Sequence, residues 1–132
     1  MQTLQYKKHF SPLEATRMLP YIRRVVEDIQ THGYALQKLQ AKDIEEHEHH
    51  QQVERHIKAV NDLFAELEDL GCFYKAMDFE LGMVDFPGII NDEEVLLCWK
   101  SDEERITWYH SLEGGFKGRR PIPEDLIESG DV

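Results

Sequence analysis

Basic residues are scarce in this chain. Fifteen lysines and arginines stand against 26 aspartates and glutamates in 132 residues, a formal net charge of -11. A general hold on nucleic-acid backbone or anionic lipid needs a basic face, so neither nucleic acid nor membrane is an expected partner. Cysteine is scarce too. Cys72 and Cys98 are too few for a disulfide scaffold and lack the spacing of a metal knuckle, which points to a cytoplasmic protein with reduced thiols. No apolar run approaches the roughly 20 residues that span a bilayer, and neither a signal peptide nor a lipidation motif is visible. At this length a single domain over residues 1–132 is expected, able to bury roughly two-thirds of its unfolded surface.

Residues 10–70 read as a helical hairpin. Ser11-Pro12-Leu13-Glu14 is a helix start, with Ser11 and Glu14 as the two ends of a capping box and Pro12 where a missing N–H costs nothing. Glu14 thus has a structural job available in place of a catalytic one. Leu19, Ile22, Val26, Ile29, Gly33, Leu36 and Leu39 recur at spacings of three and four, and Pro20 predicts a kink near residues 16–20. A second seam, Val53, Ile57, Val60, Phe64, Leu67 and Leu70, ends at Gly71. Two antiparallel helices bury both seams where one long helix would not, so a turn is predicted near residues 43–51. The run from Glu45 to His50 puts Glu46 and His49, or His47 and His50, on one helical face. These are weak metal candidates (Glu46, His49, His50), because a di-iron site needs further glutamates in a dry core. The plainer reading is a solvated hairpin tip, and no cofactor is called.

Beyond Gly71 the period changes to two. Residues 72–76 and Met83-Val84-Asp85-Phe86 read as short strands, the second ended by Pro87-Gly88. VLLCWK (95–100) and RITWYH (105–110) read as a hairpin. A four-residue loop, 101–104, would set Trp99 opposite Ile106, Leu97 opposite Trp108 and Val95 opposite His110. His110 would then end an apolar face, with Cys98 inert on the other. The fold class expected is α+β: a long antiparallel helical hairpin packed against a small antiparallel sheet, with a β-rich half over 71–123 and an acidic tail over 124–132.

The polar residues of that half are the ones to test for function. His110 is either a buried histidine with a satisfied bond or a proton carrier at a pocket mouth. Asp78 and Asp85 are its possible partners, or turn caps. Residues 105–121 hold Arg105, Lys117, Arg119 and Arg120 against Glu113 alone. Gly114, Gly115 and Gly118 beside Lys117, Arg119 and Arg120 suit a phosphate or carboxylate, unless the arginines pair with the acidic surplus.

Several of these stretches coincide with a known family. FSPLEATRMLP, GCFYK, VDFP, VLLCWK and ITWYHSLEGGFKGRRPI, in that order from about Phe10 to Ile122, resemble the uncharacterised bacterial Domain of Unknown Function 2203 family. The resemblance rests on Phe10, Ser11, Glu14, Ala15, Leu19 and Pro20, then Gly82 to Pro87, Leu97-Cys98-Trp99, Trp108-Tyr109-His110, and Gly115, Phe116, Gly118, Arg119 and Pro121. Between Lys75 and Asp85 the chain departs from the family pattern, with Ala76 where an acid is common. The resemblance implies no mechanism. Two function classes therefore stand. One is a non-catalytic module that self-associates through its helices or binds a partner. The other is a small anionic-ligand-binding or metal-dependent enzyme using Asp85 and His110 as candidate catalytic groups, with Arg119.

Overall fold

A computed structural model describes residues 4–40, 47–75 and 81–128. Helix α1 runs over Pro12–Gln40 and α2 over His47–Leu70. The capping box forms as read: Ser11 Oγ accepts from the Glu14 amide and Glu14 Oε1 accepts from the Ser11 amide, each at 3.1 Å. Gly71, at φ 98°, ends α2, and the Cys72 amide returns to the Leu67 carbonyl at 3.1 Å. The helices are antiparallel, since Tyr21 of α1 bonds Glu66 of α2 while His32 meets His56. Helix α1 is a single element across Pro20. Of the turn predicted near residues 43–51, the part before residue 47 lies outside the described residues, and residues 47–51 already belong to α2.

The seam in α1 is buried from Ala15 to Gly33, whereas in α2 only Val60 and Leu67 are fully buried. Ile57, expected in the seam, is 44% exposed. The sheet lies against the Gly71 end of the hairpin, so among the described residues the far half packs on the opposite helix.

Five antiparallel strands follow in the order β1-β2-β3-β4-β5: β1 Phe73–Tyr74, β2 Met83–Ile90, β3 Glu93–Lys100, β4 Trp108–Ser111 and β5 Arg120–Pro121. A 3-10 turn, Phe116–Gly118, precedes β5, and a short helix α3, Glu124–Ile127, follows it. Strand β2 does not stop at Pro87-Gly88 but continues to Ile90. Pro87 is tolerated because its carbonyl points to the outer edge, where it accepts from the Phe10 amide at 2.7 Å, so its missing N–H breaks no ladder bond. Asn91 and Asp92, both at positive φ, close a tight turn into β3.

The β3–β4 pairing corrects the expected register. Leu97 lies opposite Tyr109, Leu96 opposite His110 and Cys98 opposite Trp108. The connection is residues 101–107, not 101–104. Glu103 holds it open: its carbonyl accepts from Trp99 Nε1 and Arg23 Nη2, and its carboxylate accepts from the Lys100 amide. Ile106 is thereby released from the strand to bury in the core, and its amide bonds Thr16 Oγ1. A slip of one residue moves every side chain to the opposite face. Val84, Phe86, Leu97 and Trp99 face the helices, where they share the core with Leu19, Ile22, Val26 and Ile29. Asp85, Leu96, Cys98 and His110 take the other face.

Candidate functional site

The face turned away from the helices is covered by two segments. The N-terminal arm is pinned by Glu94, whose buried carboxylate accepts from the amides of Gln5 and Tyr6 and meets His9 Nε2 at 2.7 Å. Burial alone would raise the Glu94 carboxyl, but these bonds together hold it below its usual value. The second cover is residues 112–118, which fold back through the Gly114 amide onto the Ser111 carbonyl.

Between them three different donor types converge. Asp85 on β2, Cys98 on β3 and His110 on β4 are 3%, 1% and 3% exposed, and one donor atom of each lies within 4.8 Å of the others. Asp85 and Cys98 are direct cross-strand partners, while His110 is diagonal to Cys98 on the neighbouring strand. Among the described residues this is the sole cluster of three such groups.

The histidine's protonation follows from its contacts. Nδ1 lies 2.7 Å from the Ser111 carbonyl, which can only accept, so Nδ1 carries hydrogen. Nε2 then faces both Asp85 oxygens, at 3.2 and 3.3 Å. Hydrogen bonding to Asp85 raises the imidazole pKa, against burial and the Arg119 charge. The Cys98 thiol is pushed up to about 11 by burial and by the Asp85 charge, with Arg119 opposing. A lone nucleophilic thiol needs the reverse, a depressed pKa and a base free to take its proton. That is not the setting of a lone nucleophilic thiol, and the neighbours of Cys98 are not those expected from sequence.

Arg119 is close by but committed. Its guanidinium grips Glu103 at 2.6 and 3.1 Å, donates to the Cys98 carbonyl at 2.9 Å, and lies between the rings of Trp108 and Phe116. It braces the strand that carries Cys98 and is not a free anion grip, because its fork is spent on Glu103. Arg120, opposite Tyr109, projects to the other face. The amides of Gly114, Gly118 and Arg119 close turns on carbonyls. Lys117 does line the site. It belongs to a cavity of about 510 Å³ bounded by the three donors, by Met83, Leu96, Leu112 and Phe116, and by Lys75 and Glu113 at its rim. Asp78 and Glu46 lie outside the described residues. His49 and His50 lie in the first turn of α2 with ring centres 6.2 Å apart, and no third ligand joins them among the described residues.

Comparison with known proteins adds the family. Residues 8–122 match the family described as Uncharacterized conserved protein (DUF2203). The chain belongs to that family. No curated protein and no solved structure matches it. Every site residue falls inside the matched region, but the family's description carries no activity, so function has to be argued from the geometry. No helix among the described residues is long and apolar enough to cross a membrane.

Proposed function

We propose that Asp85, Cys98 and His110 bind a divalent transition metal, zinc in the first instance, and that the protein is a metal-dependent enzyme or ligand-binding protein. The observation that carries this reading is the approach of Nε2 to both Asp85 oxygens while Nδ1 is held as a donor by Ser111. A charge-assisted pair would close to about 2.7–2.9 Å. Bonds of about 2.0–2.1 Å to a tetrahedral ion place nitrogen and oxygen ligands roughly 3.3 Å apart, the spacing found. Thiolate, imidazole and carboxylate are together a zinc-type donor set, and the Ser111 carbonyl fixes the ring tautomer that frees Nε2. Three protein ligands would leave one position of a tetrahedral ion for water or a ligand, and the three donors line the cavity. A bound ion would displace both the thiol proton and the Nε2 proton that bonds Asp85, releasing them to solvent. Elemental analysis of untagged protein purified without nickel tests this. About one metal per chain is expected, with less than a tenth of that in Cys98→Ser or His110→Ala; metal-free protein, or equal metal in these variants, refutes the reading.

A second reading, self-association through the helices, is favoured by one observation: Tyr21, Tyr34 and Ile57 are large apolar groups exposed on the hairpin. Sedimentation mass tests it, with a dimer expected that Ile57→Ser dissociates and a monomer at high concentration as the contrary result. Cytoplasmic residence belongs to the same set of proposals, supported by two buried free thiols.

A further inference from the structure

The walls of the cavity bear on what the open metal position accepts. This chain carries a net charge of -11, so an arbitrary rim would be acidic. The rim instead carries Lys75 and Lys117 against Glu113. Neither ammonium group has an ion pair or hydrogen bond among the described residues, and that of Lys75 stands 5.9 Å from the Phe73 ring centre. Between rim and donors the wall is apolar: Met83, Leu96, Leu112 and Phe116.

Charge balance narrows the ligand further. A divalent ion with one thiolate, one carboxylate and a neutral imidazole is itself neutral, so it makes little demand for an anion. Among the described residues, the two lysines less Glu113 leave one positive charge at the rim. The guanidinium of Arg119, which stands against the Phe116 wall, is bound to Glu103, so its planar fork is not offered to phosphate.

Resting on the metal reading above, we infer that the cavity takes a small monocarboxylate with an apolar body. One donor atom of the ligand meets the metal, its body lies on Leu96, Leu112 and Phe116, and its carboxylate reaches Lys75 and Lys117. Pockets of this size with few convergent polar groups bind such compact molecules.

Calorimetry on the zinc-loaded full chain tests the inference with three probes that share one metal-binding group: benzohydroxamate, its 4-carboxylate and its 4-phosphonate. The carboxylate should bind roughly fivefold more tightly than the neutral probe, as two partly screened charge contacts allow, and more tightly than the phosphonate. In Lys75→Gln/Lys117→Gln that advantage should vanish while zinc content and neutral-probe affinity hold. Both lysines are at the surface, so the fold should survive the change. Equal or weaker binding of the carboxylate in zinc-replete protein overturns the ligand class and leaves the metal centre standing. An advantage that survives the double substitution overturns the role of the lysines, and tighter phosphonate binding overturns the monoanion. Protein that retains no zinc overturns both readings together.

Discussion

The two faces of one sheet obey different rules. Toward the helices, Val84, Phe86, Leu97 and Trp99 form a continuous apolar layer. On the opposite face, equally well buried, stand Asp85, Glu94, Cys98 and His110. Burying ionisable groups costs free energy unless each finds a partner, so a fold gains nothing by collecting them where apolar side chains would fit. Glu94 is answered by the N-terminal arm, which it fastens. Asp85, Cys98 and His110 meet one another, with His110 Nδ1 held by the Ser111 carbonyl, and lie at the floor of a cavity. The contrast teaches that one face forms the shared core with the helices, and the other is where we propose that the chemistry resides.

The first way to break this comparison is to truncate each face in turn. Trp99→Ala should cost about 3–5 kcal/mol of stability in urea denaturation, the range for a large buried aromatic. Cys98→Ser, one strand position away, should leave metal-free stability within about 1 kcal/mol but weaken zinc affinity more than about 100-fold, beyond the usual effect of outer-shell changes. Similar losses of stability from both would erase the distinction between the faces.

Glu103→Gln sharpens the comparison, because Glu103 links the connection that sets the register to the arginine behind Cys98. Loss of its charged bonds to Arg119 should cost about 1–3 kcal/mol and weaken zinc binding about tenfold, read by denaturation and by competition with a chelator. Unchanged metal affinity would show that Arg119 braces the fold and not the site.

The smallest effect concerns acid. The folded Glu94 carboxyl lies below its ordinary value of 4.5, so the unfolded chain binds its proton first as pH falls. The stability it contributes is complete above that ordinary value and is lost as pH falls through the lower, folded value. Stability followed downward from pH 5 should therefore decline less steeply in Glu94→Gln than in the parent chain. Parallel slopes would mean that Glu94 titrates alike in the folded and unfolded states.

Much of the frame was legible. The Ser11–Glu14 box, the α1 seam, the Gly71 stop and the antiparallel helices follow from local rules of capping and period, and they formed where the residues put them. The site was half legible. Asp85 and His110 stood out as polar groups among apolar strands, and the structure does bring them together. Cys98 did not, because an assumed four-residue loop placed it across the sheet from His110. The true connection is longer because Glu103 makes contacts distant in sequence, to Arg23 and Arg119, that no turn rule encodes. Arg119 stood open between an anion grip and a pair with the acidic surplus, and its partner, Glu103, lies 16 residues earlier. Both points fall where tertiary contacts override local pattern.

The most direct test of the metal centre is the absorption spectrum of the cobalt-substituted protein. One equivalent of cobalt should give intense visible bands of a four-coordinate ion together with a sulfur-to-metal charge-transfer band, and Cys98→Ser should lose the charge-transfer band. A weak six-coordinate spectrum without that band, or a spectrum unchanged by Cys98→Ser, would contradict a metal held by Asp85, Cys98 and His110.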